Sequence, residues 1–138
     1  MALKPRFALA VDDEPADLES LRRVLTDGGY HVFTAPDAKT AVEIFQSDPD
    51  NIEVLVTDVA MSPVNGCELA AELVKLKPDL RVVFVSAYSG SLAFRYRATH
   101  LLHIDLVAKP FSAEELLAKV RPETQKERGA GSAAASDV

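Results

Sequence analysis

Five short apolar runs recur along the chain, at residues 7–11, 31–35, 52–56, 81–85 and 104–108, and helix-patterned segments separate them. Runs of this length without polar alternation suit strands buried on both faces, as in a parallel sheet. Between them, apolar residues return at spacings of three and four, which puts them on one face of a helix. Leu18, Leu21, Val24 and Leu25 do so within 17–25. Ala38, Ala41, Val42 and Phe45 do so after Pro36-Asp37, and Leu69, Ala70, Leu73, Val74 and Leu76 do so within 66–77. Residues 89–102 are expected to be helical as well. The last helix opens on Ser112-Ala-Glu-Glu115, a capping box, and turns Leu116, Leu117 and Val120 inward. Five β-α repeats predict one α/β domain, a five-stranded doubly wound parallel sheet with right-handed connections and helices on both faces.

Turn residues punctuate this pattern. Asp27-Gly28-Gly29 closes the first helix, 47–51 forms a turn cluster, and Lys77-Pro78-Asp79 ends the third helix. After Pro122 the chain is rich in Ala, Gly, Ser and charge and has no large apolar residue before Val138. The expected organisation is therefore a domain over 1–121 and a flexible C-terminal tail over 122–138.

Charge and composition narrow the function classes. A net charge of −6 argues against a nonspecific nucleic-acid binder. Cys67 is the only cysteine, so an intrachain disulfide or a cysteine metal cluster is excluded. No apolar run approaches the roughly 18 residues of a membrane helix, and the run after the basic start is too short for a secretory signal. The expectation is a cytoplasmic protein with no membrane and no nucleic-acid partner.

The chemistry collects at the strand ends. In an open parallel sheet, sites form outside the carboxyl ends of the strands. The residues there are Asp12 and Asp13, then Asp58, then Ser86, then Lys109. Three clustered carboxylates either rise in pKa or share a cation. An all-oxygen donor set without His or Cys suits Mg²⁺. Taken alone, Asp12-Asp13-Glu14 also reads as an acidic helix start favoured by the helix dipole. Cys67 reads as packing, and His31, His100 and His103 lack ligand spacing.

Asp12-Asp13, Asp58, Ser86 and Lys109-Pro110-Phe111, in this order and at these strand ends, resemble the pattern of response-regulator receiver domains over residues 6–121. The resemblance implies the flavodoxin-like strand order 2-1-3-4-5. It implies a phosphoacceptor role for Asp58, supplied by a phosphohistidine on a sensor histidine kinase or a histidine phosphotransfer protein. Asp13 and Asp58 would ligate Mg²⁺ directly, Asp12 mainly through water, and Ala60 through its backbone carbonyl. Lys109 would pair with the phosphoryl oxygens, Ser86 would hydrogen-bond them, and the Lys109–Pro110 peptide would be cis. The chain would work in two-component signal transduction without an output domain of its own, signalling to an output protein that the sequence does not name.

Three features depart from the family pattern. Met61-Ser62-Pro63 places the loop proline one position late, although Asn65-Gly66 keeps the turn into the helix. Leu106 stands where an aromatic switch residue is usual, and Tyr88 is a candidate substitute. Ala60 and Tyr88, two residues after Asp58 and Ser86, predict a phosphorylated form longer-lived than the fastest members show. Phe94, Arg95, Tyr96 and Arg97 suggest a protein contact surface or a broad core stripe. Two other functions compete: a phosphorylation-independent interaction module on the same fold, and a flavodoxin-like nucleotide or flavin binder. The acids after the first strand oppose the second.

Overall fold

The strand and helix pattern closes as the periodicity predicts. The computed structural model describes residues 5–87 and 104–121. In chain order it runs β1 (Phe7–Val11), α1 (Pro15–Asp27), β2 (His31–Ala35), α2 (Ala38–Ser47), β3 (Ile52–Asp58), α3 (Gly66–Leu76), β4 (Arg81–Ser86), β5 (Ile104–Ala108) and α4 (Ala113–Val120). The strands form one five-stranded sheet in the order β2-β1-β3-β4-β5, and every pairing is parallel. The expected segment 89–102, Tyr88, the Phe94–Arg97 cluster and the tail from 122 lie outside the described residues.

Alternation along the strands splits the core in two. Leu9 and Val11 of β1, Leu55 of β3 and Phe84 of β4 join Phe45 of α2 and Leu69 and Leu73 of α3. Ala8 and Ala10 of β1, Val54 and Val56 of β3 and Val83 and Val85 of β4 point the other way. There they meet Leu21 and Leu25 of α1 and Leu116 and Val120 of α4. Among the described residues two helices cover each face, which lets the middles of the central strands be apolar. Phe45 and Phe84 are fully buried, and burial of each contributes about 1.5–3 kcal/mol.

Element ends differ from the sequence reading in physically simple ways. α1 starts at Pro15, two residues before the expected 17, because proline's fixed φ suits the first helical position. β3 runs to Asp58 and β4 to Ser86, so both polar residues belong to the strands themselves. The register pairs Asp58 with Val85 and Ser86 with Ala108. The capping box at Ser112 and Glu115 forms as expected, and Asn65 and Glu68 make a second one at the start of α3. Gly29 closes the α1–β2 turn with φ of 99°, a conformation that favours glycine. Lys77 ends α3, and its ammonium donates to the carbonyls of Pro49, Asp50 and Ile52 at 2.8–3.3 Å, tying that helix end to the turn before β3.

Candidate functional site

The three acids of the sequence reading meet at one edge of the sheet. β1 ends at Val11, and the next residue, Asp12, is 1% exposed. Its Oδ1 accepts the backbone N–H of Glu14 at 3.0 Å, which fixes the carboxylate at the mouth of α1. Asp13 beside it is exposed, and Asp58 at the end of the neighbouring β3 is buried. One carboxylate oxygen from each of Asp12, Asp13 and Asp58 lies within 4.8 Å of the others. Ser86 is buried at the end of β4, one residue past the Val85 that pairs with Asp58.

Lys109 reaches into this cluster from beyond β5. Its backbone N–H donates to the Ser86 carbonyl at 3.0 Å, and the Lys109–Pro110 peptide is cis, as the resemblance implied. Its Nζ lies 3.1 Å from Asp12 Oδ2, 3.0 Å from Asp17 Oδ2 and 3.6 Å from Asp58 Oδ1. One ammonium thus faces three carboxylates. Asp17 was not among the residues expected at the site. Its signal in the sequence is an acid in the first turn of the helix that follows directly from the Asp pair.

Two further residues shape the phosphoacceptor position expected at Asp58. The Thr57 hydroxyl donates to the Asp58 carbonyl at 3.0 Å. Gly66, at the start of α3, donates its N–H to the Val59 carbonyl at 2.9 Å and lies hard against the Asp58 backbone. The loop between them contains a second cis peptide, Ser62–Pro63, where the proline falls one place late. Ala60, exposed in that loop, gives its backbone N–H to the Asp58 carboxylate.

Crowding sets the electrostatics. Burial raises the Asp58 pKa, the charge of Asp12 raises it further, and Lys109 and the Ala60 N–H pull it back only in part. Burial by itself would lower the Lys109 pKa, but its hydrogen bonds to Asp17 and Asp12 and the charges of Asp12 and Asp58 outweigh that and raise it. An acid with a raised folded pKa binds more protons in the folded state, so its ionisation costs stability as pH rises past the unfolded value. Asp58→Asn is therefore expected to melt a few degrees above wild type at pH 7 in EDTA. The gap should close as the pH falls below the ordinary carboxylate range. Equal melting temperatures at pH 7 would show that Asp58 carries no such penalty.

The donor set fits Mg²⁺. An octahedral ion with oxygens about 2.1 Å away spans about 4.2 Å between opposite ligands. The oxygens of Asp12, Asp13 and Asp58 need little movement to meet that, and no softer donor lies among them. No helix among the described residues is long and apolar enough to cross a membrane.

The chain matches the family model for the response regulator receiver domain over residues 8–121. It is 37% identical over 135 residues to response regulator MprA of Mycolicibacterium vanbaalenii, covering 95% of this chain and 57% of the relative. It is 40% identical over 114 residues to response regulator MprA of Mycobacterium leprae, covering 82% of this chain and 48% of the relative. The chain thus spans about half the length of these relatives. Among solved structures, response regulator protein TrrA from Thermotoga maritima in complex with Mg(2+)-BeF superposes with a TM-score of 0.73 at 31% identity, covering 83% of this chain and 96% of that one. A receiver domain protein from Clostridium thermocellum gives a TM-score of 0.78 at 24% identity, over 90% and 96% of the two chains, and supports the fold.

Proposed function

The chain belongs to the response regulator receiver domain family, and from that premise we propose that Asp58 accepts a phosphoryl group from a phosphohistidine. Phosphorylation and Mg²⁺ are general features of this family of two-component signalling proteins. The observation that carries the reading is the convergence of three carboxylates within 4.8 Å, with the Lys109 ammonium at 3.6 Å from Asp58.

A carboxylate oxygen of Asp58 attacks phosphorus, the phosphorus–nitrogen bond breaks, and its electron pair stays on the imidazole. The product is an acyl phosphate, and no general base is required because the ionised carboxylate is the nucleophile. Asp13, Asp58 and the Ala60 carbonyl, with Asp12 behind them, would hold Mg²⁺, which would supply positive charge to the phosphoryl oxygens. Lys109 supplies the second positive charge, and Ser86 offers a hydroxyl to the same group. Phosphoryl transfer depends mainly on such positioning and charge neutralisation, which suits a site built from fixed strand ends.

The partners in this reading are a sensor histidine kinase or a histidine phosphotransfer protein, and an output protein bound by the phosphorylated domain. The domain occupies 1–121, with 122–138 as a tail. The net charge of −6 favours protein over nucleic acid as the domain's own partner. A test uses phosphoramidate as donor. Wild type in Mg²⁺ is expected to gain one phosphoryl group by intact mass, and Asp58→Asn or EDTA to prevent it. A wild-type protein that takes no phosphoryl group, or an Asp58→Asn protein labelled as well as wild type, sinks the reading.

A further inference from the structure

We propose that Asp17 is a positioning residue for this reaction, holding the Lys109 ammonium back from Asp58 until a phosphoryl group competes for it. The inference rests on the phosphoacceptor reading of Asp58. Lys109 Nζ is within hydrogen-bond distance of Asp17 at 3.0 Å and Asp12 at 3.1 Å. Asp58, at 3.6 Å, lies beyond that distance. The residue that receives the phosphoryl group is thus the farthest of the three carboxylates from the ammonium.

Asp17 can act as a fixed restraint because α1 is fixed. Leu21 and Leu25 of that helix are buried in the core, and the Leu18 N–H donates to the Glu14 carbonyl at 2.9 Å in its first turn. Asp12 is fixed as well, by its bond from Glu14. Lys109 is the movable member, a charge on a flexible stem with three donors. A phosphoryl group on Asp58 offers it new oxygens, and the bond to Asp17, whose side chain is 45% exposed, is the one that water can replace.

This geometry predicts two effects of opposite sign in Asp17→Asn. The freed ammonium moves toward Asp12 and Asp58 and competes with a divalent cation, and one negative charge leaves the rim. Mg²⁺ affinity should fall about threefold, a size set by a partly exposed ion pair. The same changes favour a tetrahedral anion at Asp58, so beryllofluoride at saturating Mg²⁺ should bind about threefold tighter. A residue that merely stabilised the fold would weaken both ligands together.

The experiment is calorimetric titration of the full chain with Mg²⁺ and then with beryllofluoride, for wild type, Asp17→Asn and Asp17→Glu. The expected result is the split response in Asp17→Asn and its reversal toward wild type in Asp17→Glu. Affinities in Asp17→Asn that are unchanged, or that both fall, overturn the role of Asp17 while leaving Asp58 in place. A wild-type protein that does not bind beryllofluoride overturns the phosphoacceptor reading itself, and the inference with it.

Discussion

Gly66→Ala is expected to destabilise the domain by about 3 kcal/mol, the upper end of ordinary overpacking, and to slow phosphoryl acceptance at Asp58 about a hundredfold. A Cβ at position 66 would lie 2.1 Å from the Asp58 carbonyl oxygen, 3.0 Å from its carbon and 3.1 Å from Val59 Cα. These are backbone atoms, so no rotamer change relieves the contact. Either α3 backs away from the sheet, straining the Gly66–Val59 hydrogen bond and the Asn65–Glu68 capping box, or the end of β3 moves and carries the Asp58 carboxylate with it. Gly28→Ala supplies the contrast. Its Cβ would meet Leu117 Cδ2 at 2.4 Å, the far end of a side chain that can turn aside. That change should cost within about 1 kcal/mol and leave labelling intact. Chemical denaturation and phosphoramidate labelling of the two variants check this. A Gly66→Ala protein with wild-type stability and labelling rate would show that the close approach is not a constraint.

Gly66 also illustrates where the sequence stops speaking. Asn65-Gly66 reads as a turn signal, which is correct, but the reason for glycine is a contact with a strand end eight residues earlier. The fold itself was legible because periodicity and burial share one cause. The strands buried on both faces are the unbroken apolar runs, and the stripes at three and four are the helix faces that cover them. The acids, Ser86 and Lys109 were legible because a parallel sheet sends its strand ends to one edge. Asp17 was missed since a first-turn acid has an ordinary explanation in the helix dipole, and only the three-dimensional path of Lys109 distinguishes the two. Arg81 was read as the opening of a strand. It is buried, with its guanidinium 2.6 Å from Asp105 and its Nε–H donating to the Lys119 carbonyl at 2.8 Å, a link among β4, β5 and α4 that no local pattern encodes. Leu106 packs against the core on the α2 and α3 face, which gives it a role in packing in place of the aromatic switch usual there.

Lys109→Ala is expected to separate stability from chemistry. In EDTA, Asp12 would lose the ammonium 3.1 Å from its nearly inaccessible carboxylate and keep, among the described residues, the Glu14 N–H, while Asp58 would lose its cation at 3.6 Å. Leaving buried carboxylates without a counter-charge costs about 3 kcal/mol, or about 10 °C in Tm for a domain of this size. Mg²⁺ should reverse the loss, because the cation and the ammonium neutralise the same acids and no longer compete. At a hundredfold excess over Kd, binding to the folded state alone contributes about 2.7 kcal/mol, and removal of the competing ammonium should tighten Kd itself. The variant in Mg²⁺ would then melt near wild type in EDTA and yet label at Asp58 about a hundredfold more slowly than wild type, since a charge aimed at the transferring oxygens is gone. Melting curves with and without Mg²⁺, set beside labelling rates, read both consequences. Wild-type stability in EDTA would mean that the acids do not depend on Lys109, and wild-type labelling would mean that the phosphoryl group does not. The two losses together are what one ammonium shared between resting carboxylates and an incoming phosphoryl group requires.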